Sequence, residues 1–425
     1  MAYKGVWLVI FLCVVAMMLI SHVYHHLLDA YEQSATLSDI EYSWFFRLLL
    51  NLVGYSTVLL PMFILYKYLQ KINYFDKISN SGYTFRILFL CFGEPGDKLP
   101  DSAKPRKEDG TARESAELAF CFTGLMAAYL VWGLLQEKIM TQNYVMSDGS
   151  LMKFNDSQFL VFVNRLTALL VAGARLLCSR SALAPAPLYK FSYCSLTNVV
   201  SAWCQYEALK YVSFPTQVLS KSCKVIPVML MGKLVSRNKY EMYEYVVAVL
   251  ISVGMVLFMF GSHDDNMGSS AMTLSGLALL ALYMVCDSFT SSWQGAVFVQ
   301  YGVGALHMLC AVNAFSCALT AAAHAHHAPP LKLLHHPVFA VDCIVLSVSS
   351  AVGQLLIYRT IERFGAVVFT IIMTLRQAVS ILLSCVVYGH AVSGGGALGV
   401  LLVFGAVLLR LYCRQRRAGR KPPLK

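Results

Sequence analysis

Apolar runs of about twenty residues recur from one end of this chain to the other, separated by mostly short polar stretches. Each run can cross a hydrocarbon core of about 30 Å as a helix. None shows the ten-residue alternation of a transmembrane β-strand. A first hydrophobic segment is predicted within residues 1–42, over Gly5–Ile20 behind Lys4, followed by a polar linker. It has the character of a signal anchor, without a small-x-small cleavage site. A second span is expected at 43–66, opening with SWFFRLLLNLVGYS. Residues 67–116, containing EPGDKLPDSAKPRKEDGTARES, read as a flexible polar loop. Ten further spans are predicted at 117–136, 157–177, 190–209, 214–235, 243–261, 273–293, 302–322, 338–358, 365–388 and 396–412. The pattern defines an all-α polytopic membrane protein.

Composition agrees. The chain is 57% hydrophobic and 13% charged, with mean hydropathy +0.60, whereas soluble domains carry about 25% charged residues. The net charge of +11 raises nucleic acid as a partner, and its placement argues against one. With alternate loops assigned to opposite sides, 24 of the 34 Lys and Arg fall on the side of residues 67–116. Four, Lys138, Lys153, Lys210 and Lys332, fall on the other. This is the asymmetry of the positive-inside rule. It puts residues 67–116 and the basic tail 413–425 in the cytosol.

The ten spans divide into two fives, 117–261 and 273–412, joined by a lumenal linker at 262–272. Sliding the first by 152 positions sets Lys224 on Arg376, Ser222 on Thr374 and Ser213 on Gly365. A repeat with an odd number of spans re-enters the membrane upside down. Two inverted five-helix repeats are therefore expected, an arrangement that places a ligand near the bilayer midplane in secondary transporters.

Four basic residues lie inside spans of this core: Arg165, Lys221, Lys224 and Arg376. At about 1.5 Å of rise per residue they sit roughly 10–17 Å deep. An intramembrane cation costs about 2.5–3.5 kcal/mol, so several at one depth require anionic company. Candidate acids within or at the edge of spans are Glu137, Glu207 and Asp287. Two readings follow. One is a structural ion-pair network, with Glu137 as countercharge or gate. The other is a cationic pocket for a polyanionic solute, with further contacts from Asn164, Gln205, Tyr206, Ser222, Asn313, Gln354, Tyr358, Thr374 and Gln377. Each polar residue is, taken singly, also an ordinary helix–helix hydrogen-bond partner.

The stretches TGLMAAYLVWGLLQEKIM, SAWCQYEALKYVSFPTQVLSKSCKVIPVMLMGKLVSR, TLSGLALLALYMVCDSFTSSWQ and FGAVVFTIIMTLRQAVSILLSCVVYGH resemble the nucleotide-sugar transporter family, solute carrier family 35, most nearly its branch carrying activated sulfate. The resemblance implies a drug/metabolite-transporter-like core of ten helices. It implies import of 3′-phosphoadenosine 5′-phosphosulfate (PAPS) into the Golgi lumen, against an adenine nucleotide such as PAP or AMP, without cofactor or metal. Basic residues on the fourth and ninth core helices hold phosphates in that family, which points to Lys221, Lys224 and Arg376. Some relatives carry lysine where this chain has Gln377.

Other motifs are weaker. HVYHH (His22, His25, His26) and HAHHAPPLKLLHH suggest a membrane metalloenzyme, but both clusters fall on the lumenal side, and the second is a short loop with two prolines. Thirteen cysteines lie mostly in apolar spans without CxxC, as packing residues do. Asn155 opens an N-D-S glycosylation acceptor in a lumenal loop. Gly395 and Gly399 form a GxxxG pair that packs closely within the chain or across a homodimer. The tail KPPLK lacks a dilysine retrieval signal, in keeping with Golgi residence.

Overall fold

The structure is a computed structural model describing residues 2–34, 43–77, 83–93, 111–145, 151–154, 156–178, 186–222, 227, 229, 242–261, 270–324, 336–388 and 394–418. In chain order the elements are α1 (Ala2–Ser34), α2 (Ser43–Lys71), α3 (Tyr74–Lys77), α4 (Tyr83–Phe92) and α5 (Thr111–Thr141). There follow β1 (Asn143–Val145), β2 (Leu151–Lys153), α6 (Ser157–Cys178), α7 (Tyr189–Ala208), α8 (Phe214–Ser222) and α9 (Met242–Gly261). The chain continues with α10 (Ser270–Tyr301), α11 (Ala305–His324), α12 (Pro337–Tyr388) and α13 (Gly394–Ala418). Among the described residues, seven helices are long and apolar enough to cross a membrane, and shorter apolar stretches lie in α9 and α13. The chain is thus a polytopic helical membrane protein.

The helices form two compact units. The first comprises residues 1–104, 156–203 and 293–332. Here α1 runs antiparallel to α2: Cys13 Sγ donates to the carbonyl of Pro61, and Gly5 meets Tyr68. The absence of a side chain at Gly54 lets α2 touch Ala323 of α11, whose carbonyl accepts from Tyr24. Tyr55 of α2 donates to Gln158 of α6 at 2.9 Å. The first hydrophobic run is therefore a packed helix with a buried tyrosine, extending well past Ile20.

Residues 67–116 are less loop-like than their polarity suggests. Within them, YTFRILFLCF forms α4 and buries Leu88 and Phe92 against Val6, Leu69 and Tyr189. The run is short, so the surrounding polar residues mask it in a twenty-residue window.

The second unit comprises residues 105–155, 204–292 and 333–425. A buried stripe on α9, Val247, Ile251 and Phe258, recurs at helical spacing. Gly254 and Gly399 bring α9 and α13 into backbone contact, since a Cβ at Gly399 would lie 2.5 Å from the Gly254 carbonyl. The GxxxG glycine thus packs within the chain. On the other side of α5, a β1–β2 hairpin pairs Tyr144 with Met152. Asp342 of α12 accepts from Tyr144 at 2.9 Å and pairs with Lys138 at 2.8 Å.

The predicted spans 338–358 and 365–388 fall in one helical run, α12. That run is folded back on itself. Glu117–Arg359, Gly124–Leu356, Tyr129–Gly353 and Lys138–Asp342 contacts make its first arm antiparallel to α5. Tyr129–Arg376 and Gly133–Ser380 contacts make its second arm parallel. Gly353 and Arg376 would be about 35 Å apart along a straight helix, yet both meet the ring of Tyr129.

Candidate functional site

Two buried-span cations come together in the second unit, each over an aromatic ring of α5. The ammonium of Lys221, near the end of α8, lies 5.1 Å from the ring centre of Trp132. The guanidinium of Arg376, on the second arm of α12, lies 5.3 Å from that of Tyr129. The rings are three residues apart, hence neighbours on one helix face, and meet edge-on at 6.1 Å. Tyr129 can reach Arg376 because Gly353 yields space: a Cβ there would lie 2.7 Å from the Tyr129 ring. A cation on an aromatic face is held by about 0.5–2 kcal/mol, the more so when desolvated.

The electrostatic surroundings are mixed. Arg376 and Asp287 both act on Lys221, so a like charge and an opposite one share its neighbourhood. Tyr129 and Tyr283 of α10 flank Arg376. Arg376 is only 5% exposed, and its Nε has no hydrogen-bond partner among the described residues. The same holds for Trp132 Nε1, Gln136 Nε2 and Gln354 Oε1. These atoms belong to α5 and the two arms of α12, the elements that meet at Tyr129. Buried polar groups are normally satisfied, so these atoms have hydrogen-bonding capacity that the described residues do not use.

The other predicted residues distribute as follows. Gln205 donates to Gln136 at 3.2 Å and its carbonyl accepts from Gln217, which ties α7 to α5 and α8; Tyr206 beside it is buried. Glu137 is buried on α5, and Asp287 is an acid that acts on Lys221. Gln377 follows Arg376 and is half-buried. Ser222 closes α8, and Tyr358 and Thr374 belong to α12. Lys224 and Asn155 lie outside the described residues. Asn164, Arg165 and Asn313 belong to the first unit, where Arg165 donates to Asn198 at 3.1 Å and Asn313 donates to the Leu309 carbonyl. Tyr129, Trp132 and Tyr283 escape the sequence reading. Aromatic residues in apolar helices look like packing, and only the YxxW spacing within TGLMAAYLVWGLLQEKIM hints at paired rings.

Comparison with known proteins defines the class. The model of the UAA transporter family matches residues 117–414, and the chain belongs to that family. It is a membrane transporter rather than an enzyme. The chain is 50% identical to the adenosine 3′-phospho 5′-phosphosulfate transporter 1 of Drosophila melanogaster, over 97% of this chain and 95% of that protein. It is 48% identical to the Homo sapiens protein of the same name, over 88% of each. UDP-galactose/UDP-glucose transporter 5 of Arabidopsis thaliana is 36% identical over 76% of this chain. A crystal structure at 15% identity aligns with 71% of this chain and 98% of its own, with a TM-score of 0.50.

Proposed function

We propose that this chain carries PAPS from the cytosol into the Golgi lumen, in exchange for an adenine nucleotide such as PAP or AMP. Two inverted five-helix halves, 117–261 and 273–412, alternate access to a midplane site. The observation that carries the reading is near-full-length identity of 48–50% to relatives bearing that substrate in their names. The chemistry of the site agrees. PAPS carries about four negative charges on its phosphate and sulfate groups, and Lys221 and Arg376 offer two adjacent cations held by aromatic faces. Lys224 is assigned to the same anion. Gln205, Gln354 and Gln377 are assigned to polar contacts with the nucleotide. Anion arrival replaces weak cation–π contacts with charge-assisted hydrogen bonds, which are roughly twice as strong as neutral ones.

A second reading, exchange of a UDP-sugar, is favoured by the 36% identical plant relatives named for UDP-galactose and UDP-glucose. Proteoliposomes preloaded with PAP or AMP separate the two. Labelled PAPS uptake is expected to exceed UDP-galactose uptake by at least about tenfold, equivalent to about 1.4 kcal/mol. Equal uptake, or uptake of UDP-galactose alone, rejects the sulfate-donor assignment.

A further inference from the structure

We propose that the apolar groove between α2 and α7 holds one acyl chain of an anionic glycerophospholipid, with the lipid phosphate bound at Lys67 and Lys190. The groove lies wholly within the first unit and encloses about 390 Å³, within the size range of ligand pockets. Its α2 wall runs from Leu52 to Tyr66, about 21 Å of helix. One leaflet's hydrocarbon is about 15 Å deep, so the wall can accompany a chain through it. The α7 wall includes Tyr189 and Leu196, seven residues apart on one helix face.

Five of the hydroxyls along these walls are engaged within the protein, Tyr55 among them through Gln158. Ser56 and Ser192 each donate to a backbone carbonyl of their own helix at 2.6 Å, and the Tyr66 and Tyr189 hydroxyls meet at 3.4 Å. The groove therefore presents methylene and ring surface. Water is not available to fill such a space beside a membrane-spanning helix, and a nucleotide would lose its hydration there without replacement. An acyl chain fits that chemistry.

Charge at one end selects the kind of lipid. The Lys67 ammonium stands 5.8 Å from the ring centre of Phe63, and the Lys190 ammonium 5.9 Å from that of Tyr189. Both rings line the groove, which puts both cations at the same end of it, although Lys190 stands nearer, at 4.7 Å, to the ring centre of Tyr301 outside the lining. Lys190 is further steadied by donating to the Tyr301 hydroxyl. The positive-inside asymmetry assigns this end to the cytosolic leaflet, where anionic lipids reside and basic pockets between helices take their headgroups. At the same end α4 buries Leu88 and Phe92 and exposes Tyr83 and Ile87, as a helix lying in the membrane interface does. A sterol would use the apolar walls and leave both ammonium groups unused.

Native mass spectrometry of the full chain in detergent, with phosphatidylinositol, phosphatidylcholine and cholesterol supplied at equal concentration, tests this. A saturable phosphatidylinositol adduct is expected, with phosphatidylcholine retained about fivefold less, the factor one lysine near an anionic headgroup supplies. Lys67→Glu, at an exposed position, is expected to lower the phosphatidylinositol adduct by at least the same factor without changing the melting temperature. Leu59→Trp, which fills the groove, should remove the adduct; if that variant does not fold, Lys67→Glu decides alone. Equal retention of both phospholipids, preferential retention of cholesterol, non-saturable binding only, or an unchanged adduct in Lys67→Glu overturns the proposal.

Discussion

Arg376 brings five fixed N–H donors into the helical core, and the ring of Tyr129 receives its charge face-on. A hydrogen bond from such a group to an anionic ligand contributes about 1.5–3 kcal/mol. Arg376→Ala and Lys221→Ala are each expected to lower kcat/KM for PAPS uptake at least about tenfold, while detergent-extracted protein remains monodisperse. Arg376→Lys should recover only part of the loss, because an ammonium lacks the bidentate fork. Trp132→Phe retains a face for Lys221 and most of the transport; Trp132→Leu does not. Initial-rate measurements in proteoliposomes check all five. The cations were legible in the sequence because a charge in an apolar run conflicts with its surroundings. The rings were not, because a tyrosine or tryptophan among leucines conflicts with nothing until its partner across the helix pair is known. Asp287 was visible as an acid in a span, whereas its pairing with the Lys221 neighbourhood required the fold.

At the scale of elements, the close approach of α9 and α13 rests on two glycines. A side chain at Gly399 would strike the backbone of Gly254 and Phe258 at 2.5–2.6 Å, and one at Gly254 would strike Val403 at 2.7 Å. Overpacking of this kind costs about 1–3 kcal/mol. Gly399→Val is expected to lower the melting temperature measured by scanning fluorimetry, while Gly405→Ala, where nothing lies within 4 Å, leaves it unchanged. The GxxxG spacing announced close packing; its partner helix lies more than a hundred residues earlier and could not be read from the motif. The same limit explains α4 and α12. Window-based reading finds elements twenty residues long, so a ten-residue apolar helix inside a polar segment is lost. Conversely, the predicted spans 338–358 and 365–388 both fall in the one helical run α12, because the six residues between them are too few for such a window to treat as a separate segment.

For the molecule as a whole, the charge asymmetry makes a topological prediction independent of the site. Glycosylation acceptors engineered into residues 94–110 or after residue 418 should remain unmodified in cells, whereas Asn155 or an acceptor placed at 262–269 should shift under glycosidase treatment. The reverse pattern would invert the orientation. The predicted ten spans cover 117–412, and the family match covers 117–414. The apolar pattern did not anticipate how the chain partitions into compact units, because that depends on which helices exchange contacts rather than on their order. Residues 156–203 join the N-terminal helices in one unit, and residues 105–155 join the C-terminal helices in the other.

Tyr129 occupies an unusual station between the two arms of α12. Its ring fills the space that Gly353 leaves open and also carries the charge of Arg376. On the proposed mechanism, a guanidinium drawn to an arriving anion leaves that ring, so cargo occupancy and the packing of the two arms would meet at one residue.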